Sequence, residues 1–218
     1  MPFNTTAKNV MLDALDESVT QFTHVGIHTL TDPGTGTNAN SGEATGGSPA
    51  YARLAATWGA AASEQKTNTS TFIFDVPAGT YGFFTFWNAA TGNTSNYRGH
   101  IPFGGASALK GIATVDATLT NDQFLAPGHG MADTDRVMVF NNFGGSLATG
   151  LTEGTIYFVV SSATNTFKVS LTSGGAAVDI TALGNGTVYW QRVVPEVFAA
   201  QGQITVAASA LILDLTGF

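Results

Sequence analysis

YGFFTFWNA, residues 81–89, decides the fold. Side chains alternate across a strand, so Phe84 and Phe86 face one way and Phe83, Thr85 and Trp87 the other. Apolar groups on both faces predict a central strand covered on both sides. Turn residues bound it: Pro77-Ala78-Gly79 before, TGNTSN (91–96) after. Working outward, TFIFDV (71–76) reads as a buried strand, and QFTHVGIHTL (21–30), YARLAATW (51–58) and YRGHIPF (97–103) as further extended pieces. The run 31–49, TDPGTGTNANSGEATGGSP, has no apolar face and is expected outside the core. One segment has helical period. Ala7, Val10, Met11, Ala14, Leu15 and Val19 make an apolar stripe, capped by Asn4 or Thr5, with Asp13, Asp16 and Glu17 on the wetter side.

The texture changes near residue 106. Short apolar runs follow with their own turns: IATVDATLT, DRVMVF, TIYFVVS, TFKVSL, AAVDI and TVYWQRV, with SATNT (162–166) as a tight hairpin. Then PEVFAAQGQITV and SALILDL (195–215) resume the earlier style, Leu211, Leu213 and Leu215 sharing a face. The reading is an all-β chain. Residues 1–106 plus 193–218 form an antiparallel β-sandwich, jelly-roll-like, with an N-terminal helix over 5–20. Residues 107–192 form an inserted small β-barrel or Ig-like β domain.

Composition excludes whole classes of function. Charged residues are 11% of the chain, the formal net charge is −7, and the eight Lys and Arg are scattered singly. Nucleic-acid binding needs clusters that neutralise phosphates, so no nucleic-acid partner is expected. No apolar run approaches the ~20 residues of a spanning helix, and a polybasic membrane contact fails with the cations, so no membrane insertion is expected. Cysteine is absent, which removes disulfides and cysteine nucleophiles. The N-terminus lacks the uninterrupted apolar stretch of a secretory signal, so synthesis in the cytoplasm is expected.

Candidate chemistry is sparse. His24 and His28 share a strand face, but four residues apart along a strand is ~13 Å, too far to converge on one zinc. His129 with Asp133 and Asp135, in GHGMADTDR, is the most metal-like cluster; it lacks the further oxygen ligands that calcium takes and reads as a turn shaped by Gly128 and Gly130. No GxSxG elbow is present, and the Gly-rich GGSP and GTGTN lack the Lys of a phosphate loop. Glu43 and Glu153 have no distinguishing neighbours for a glycosidase pair. Tyr97, Tyr189, Trp190 and Trp58 suit sugar stacking, though core or interface is the commoner use. No catalytic residue, metal ligand or cofactor is expected, and the chain is read as a non-enzyme.

Blocks of the outer segments carry a resemblance: FNTTAKNVMLDAL (3–15), HVGIHTLTDPGTG (24–36), GGSPAYARLAATWGAA (46–61), FDVPAGT (74–80), WNAATG (87–92) and FAAQGQITV (198–206). In this order they resemble a family of small tailed-bacteriophage virion proteins, tail-fibre-like or minor structural proteins. HGMADTDRVMVF, GLTEGTIYFVV, TNTFKVSLTSGGAAVDI and GNGTVYW resemble a β module that recurs within virion proteins as a binding or spacer unit. The resemblance implies a tail-associated or exterior accessory subunit of a virion, made in the bacterial host cytoplasm. Its implied partners are copies of itself, as a homotrimer, and major capsid or tail proteins. A capsid decoration (cement) protein stabilising the head is the alternative, and a module binding host-surface glycan a further one.

Overall fold

The structure, a computed structural model, describes residues 4–15, 21–34, 36–104, 109–141 and 145–214. In chain order its elements are α1 (Thr5–Asp13), β1 (His24–Thr29), β2 (Leu54–Ala55), β3 (Gln65–Thr67), β4 (Phe72–Val76), β5 (Gly79–Trp87), β6 (Tyr97–Pro102), β7 (Lys110–Val115), β8 (Phe124–Leu125), β9 (Arg136–Asn141), β10 (Ile156–Ala163), β11 (Thr166–Ser170), β12 (Val188–Val193), β13 (Glu196–Phe198), β14 (Gly202–Val206) and β15 (Ile212–Asp214). The class is all-β, with one α-helix among the described residues. The described helix is far too short to cross a membrane. The chain divides into two compact units, Met1–Ile101 with Glu196–Phe218, and Pro102–Pro195. The sequence reading drew the division at 106/107, which lies outside the described residues, and at 192/193, which lies within β12.

The first unit is organised around β5. It pairs antiparallel with β1 along His24↔Trp87 to Thr29↔Tyr81, and also with β13 and β6; β2 extends the sheet beyond β1. Strands β4 with β14, and β3 with β15, form two-stranded ladders. Val25, Ile27, Phe72, Phe74, Phe83, Phe86 and Trp87 are buried, each apolar side chain contributing roughly 1.5–3 kcal/mol. Phe22 stacks on Phe86 at 4.7 Å. Of YARLAATW only Leu54–Ala55 is strand. Leu211 and Leu213 are buried with Ile212 exposed, matching the expected alternation; Leu215 lies outside the described residues.

Two expectations about this unit are corrected. The 31–49 loop does enter the core: Pro33, Gly36, Ala39, Gly42 and Ala44 are buried, and Ala39 packs with Trp87 and Tyr97. Small residues need no apolar periodicity to be buried if partners tie their backbone down. His28, fully buried, donates from Nε2 to the Asn38 carbonyl at 3.0 Å. Gly42 lies so close that an added Cβ would collide with the His28 ring.

The helix is also turned the other way. Asn4 caps it by accepting from Ala7 N–H, and it ends at Asp13, with Ala14 as C-cap; residues 16–20, including Val19, lie outside the described residues. Its buried residues are Lys8, 7% exposed, and Leu12, whereas Val10 and Met11 of the apolar stripe are 64% and 46% exposed. The reason is the β-turn at Ser63-Glu64, against which α1 docks by polar contacts. Lys8 Nζ reaches Glu64 at 2.8 Å, Thr5 donates to Glu64, Asn9 accepts from Glu64 N–H, and Asp13 takes Lys66 Nζ at 2.7 Å and the Ala61 N–H at 2.8 Å.

The second unit is a closed antiparallel barrel in the order β10-β11-β8-β7-β12-β9, β9 pairing back to β10. It settles the barrel-or-Ig alternative as a barrel. Val137, Val139, Phe124, Tyr157, Val159, Phe167, Val169 and Trp190 fill its interior, with Phe124 and Phe167 stacked at 5.0 Å. The hairpin at SATNT closes with Ala163↔Thr166. AAVDI is not a strand; Val178 N–H only bonds to Val169 O.

Candidate interaction surfaces

Each polar candidate from the sequence has a destination. His24 sits beside Thr23 Oγ1 at 3.0 Å, and burial first, then Arg53, pushes its pKa down. His28 holds the loop as described. The two do not share a partner. His129 is buried; its Nε2 donates to the carbonyls of Ala163 (2.7 Å) and Thr166 (3.1 Å), and Nδ1 accepts Met131 N–H. Those bonds use both ring nitrogens. Asp133 accepts Ser162 N–H; Asp135 accepts Ala132 N–H and meets Arg192 at 3.0 Å. The GHGMADTDR cluster is therefore a turn lock. Among the described residues no group of three His, Cys, Asp or Glu is placed to hold a metal.

Glu43, featureless in sequence, is the centre of the most connected site in the first unit. Its Oε1 accepts Arg53 Nε at 2.7 Å and the Tyr51 hydroxyl at 3.1 Å, and its Oε2 accepts Arg53 Nη2 at 2.7 Å. The pair is buried, with side chains 5% and 11% exposed for Arg53 and Glu43. Arg53 lies 3.3 Å over the Trp87 ring and donates to the Ala89 and Gly92 carbonyls. Tyr51 Oη accepts Ile27 N–H, and burial, then Glu43, pushes the phenol well above its ordinary pKa. Gly26 leaves the room: a Cβ there would meet Tyr51, Thr85 and Trp87. A few residues on, Gln201 grips the GGSP turn, accepting Ser48 N–H and donating to Pro49 O. HVGIHT, GGSPAYAR, WNAATG and FAAQG thus meet through hydrogen bonds and one cation–π stack. Glu153 only accepts Asn141 N–H, at 3.3 Å.

A second chain of polar groups escaped the sequence reading. Asp32 faces His100 Nε2 at 3.2 Å, and His100 Nδ1 is 2.6 Å from Tyr97 Oη, which also lies 3.2 Å from Gly34 O. Burial raises the Asp32 pKa, but His100 and the Gly34 amide outweigh it and hold the carboxyl below its ordinary range. Burial, then the Asp32 charge, pushes the Tyr97 phenol far up. A phenol so held is no acid at neutral pH. The chain clamps the 31–43 loop onto β6.

The aromatic candidates divide. Trp190 and Tyr97 are buried, and Trp58 donates to Phe22 O and packs on Phe86. Tyr189 alone of the four lies on an outer face. Barrel residues Ala113, Val139 and Trp190 point inward, so Ile112, Phe140 and Tyr189 point outward, and the register aligns them as Ile112–Tyr189–Phe140 across β7, β12 and β9. Phe140 and Tyr189 stack at 5.7 Å. Ile112 is 53% exposed. In the first unit Val197, Ile73 and Ile212 are exposed in the same way, with Val10 and Met11 on α1. The chain matches no protein-family model, no curated protein and no solved structure.

Proposed function

We propose that the chain is a non-enzymatic structural subunit of a tailed-bacteriophage particle, tail-associated or on the exterior, that works by packing neutral β-surface against copies of itself and against virion proteins. The observation that carries the reading is where the polar side chains go. Glu43, Arg53, His28, His129, Asp133 and Asp135 are bonded to their own chain. Large apolar side chains are left outward: Val10, Met11, Ile73, Ile112, Leu125, Leu171, Leu183, Val197 and Ile212. Uncharged surface of this kind has little desolvation to overcome on association, and interface centres are depleted in charge. The virion resemblance of the sequence blocks supplies the setting.

The test is co-sedimentation of the purified chain with particles of the phage that encodes it, stripped of this subunit. Saturable, stoichiometric binding is expected. Gold labelling of bound chain separates tail from head, and protection of heads against heat marks the decoration alternative. A chain with no affinity for any part of the particle refutes the reading.

A further inference from the structure

Asp32 Oδ1 is buried and has no aligned hydrogen-bond donor among the described residues. A carboxylate oxygen left so is costly, the more when the group is ionised. Burial raises the pKa of this carboxyl, but His100 and the Gly34 amide together hold it below the ordinary range, so it is ionised at neutral pH. His100 Nε2 stands 3.2 Å from Oδ1, each side chain 20% exposed. A contact that is close but poorly aligned for a hydrogen bond is held by charge, and a neutral imidazole supplies little.

The other side of the ring asks for the same proton. His100 Nδ1 lies 2.6 Å from Tyr97 Oη, and Oη lies 3.2 Å from Gly34 O. The three contacts, Asp32 to Nε2, Nδ1 to Oη and Oη to Gly34 O, need three protons. A neutral imidazole and a phenol bring two between them; an imidazolium and a phenol bring three. With the ring neutral, the Tyr97 hydroxyl must donate to Nδ1, and Gly34 O loses its donor. With the ring charged, Nδ1–H donates to Oη, the hydroxyl turns to Gly34 O, and Nε2–H⁺ meets the carboxylate. Two of the three acceptors, Asp32 and Gly34, belong to the turn that starts the 31–43 loop. Tyr97 is also the post on which that loop rests: Ala39 packs with Tyr97 and Trp87, and an added Cβ at Gly36 would press on the Tyr97 ring.

We propose that Asp32, His100 and Tyr97 form a proton-operated latch, which fastens the Asp32–Gly34 turn to β6 when His100 is protonated and loosens it when the ring is neutral. Histidine is the side chain that exchanges a proton between about pH 5 and 8. The other ionisable groups around the latch are His28 on β1, whose ring meets Phe83 edge-on as His100 does, and Arg98 on β6, which donates to the Ser95 and Tyr97 carbonyls. The Tyr97 phenol, pushed up by burial first and the Asp32 charge next, keeps its proton throughout and serves only as a relay. The sign is set by the pair. Fastening needs His100 charged, so it weakens as pH rises through the histidine range. It also needs Asp32 ionised, so it fails again below about pH 4, and the loop is held best between the two.

Amide exchange in the full chain tests it, corrected for the intrinsic pH dependence of exchange. The amides of Gly36, Ala39 and Gly42, bonded to Pro33 O, Gly36 O and Asn38 O, report the loop, and those of β5 serve as the internal reference. Loop protection relative to β5 should be about tenfold greater near pH 5 than near pH 8, the worth of one charge-assisted hydrogen bond. His100→Gln and Asp32→Asn, their folding verified by near-UV circular dichroism, should each make the profile flat over that range. Long-range proton–nitrogen spectra of the unaltered chain should show His100 passing from one protonated nitrogen to two as the loop tightens. Protection that is level or rises from about pH 5 to 8 overturns the latch. So does an unchanged profile in His100→Gln, which assigns the proton to another group such as His28. If the variants do not fold, the unaltered chain still decides: a His100 ring that takes its second proton with no change in loop protection refutes the inference.

Discussion

Replacing Arg53 by Met tests the account of the first unit most severely. The substitution keeps length and apolar volume but removes the guanidinium. It deletes the two 2.7 Å bonds to Glu43, the bonds to Ala89 O and Gly92 O, and the cation stacked 3.3 Å over Trp87. Glu43 is left as a nearly buried carboxylate supported only by Tyr51. Breaking a buried pair from one side costs about 3–5 kcal/mol, because the remaining charge is uncompensated. For a unit of this size that lowers the melting temperature by roughly 10–20 °C. Arg53→Lys keeps the charge but cannot make the fork or the flat stack, and should lose about 2 kcal/mol. The assay is scanning calorimetry with urea unfolding, run as a double-mutant cycle with Glu43→Gln. Arg53→Met and Glu43→Gln should couple by about 2–3 kcal/mol, since the second change removes the charge the first one stranded. Coupling below about 0.5 kcal/mol, or an Arg53→Lys protein as stable as wild type, refutes the claim that this network holds the sequence blocks together.

Other outcomes follow from the same structure. Asp13 is held below the ordinary carboxylate range by the Lys66 hydrogen bond first and the Ala61 amide next, so its contribution is complete above about pH 4 and is lost as pH falls through the folded value; melting curves between pH 2 and 6 should show a shallower acid loss in Asp13→Asn. Asp32, also depressed, adds to the same acid loss, and Asp32→Asn should flatten it further. His129→Ala strands the Met131 N–H and two carbonyls in the barrel and should cost about 3 kcal/mol by urea unfolding, while zinc should leave the melting temperature of the native chain unchanged. Gly42→Ala drives a methyl group into the His28 ring and should destabilise by about 1–3 kcal/mol, with amide exchange of the 36–44 loop accelerating before that of β5.

What the sequence made legible is what periodicity can carry. Phe83, Phe86 and Trp87 announced β5 by apolar groups on both faces, and a strand with neighbours on both sides is what they form. The barrel strands were legible because Val137/Val139 and Val188/Trp190 alternate with outward residues. The helix misled because its stripe describes only its own residues. What decides which side is buried is Glu64 and Lys66, more than fifty positions away, which capture Lys8 and Asp13. The 31–49 loop misled because Ala39 and Gly42 are buried by a hydrogen bond from His28 rather than by an apolar pattern. Glu43 looked like any of fifteen acidic residues until Arg53 was placed opposite it. Periodicity reports how a segment meets an average neighbour; it is silent on a specific distant partner.

That distinction bears on the proposal that so lightly charged a chain works by assembly. Of its eight Lys and Arg, Lys8, Arg53, Lys66 and Arg192 are paired with acids of the same chain. Internal pairing gives loops without regular hydrogen bonding a fixed shape, and it withdraws charge from the surface. On the proposed assembly, the exposed aliphatics would meet a partner with little polar desolvation to oppose them. Such contacts are permissive, since apolar area alone does not choose an orientation.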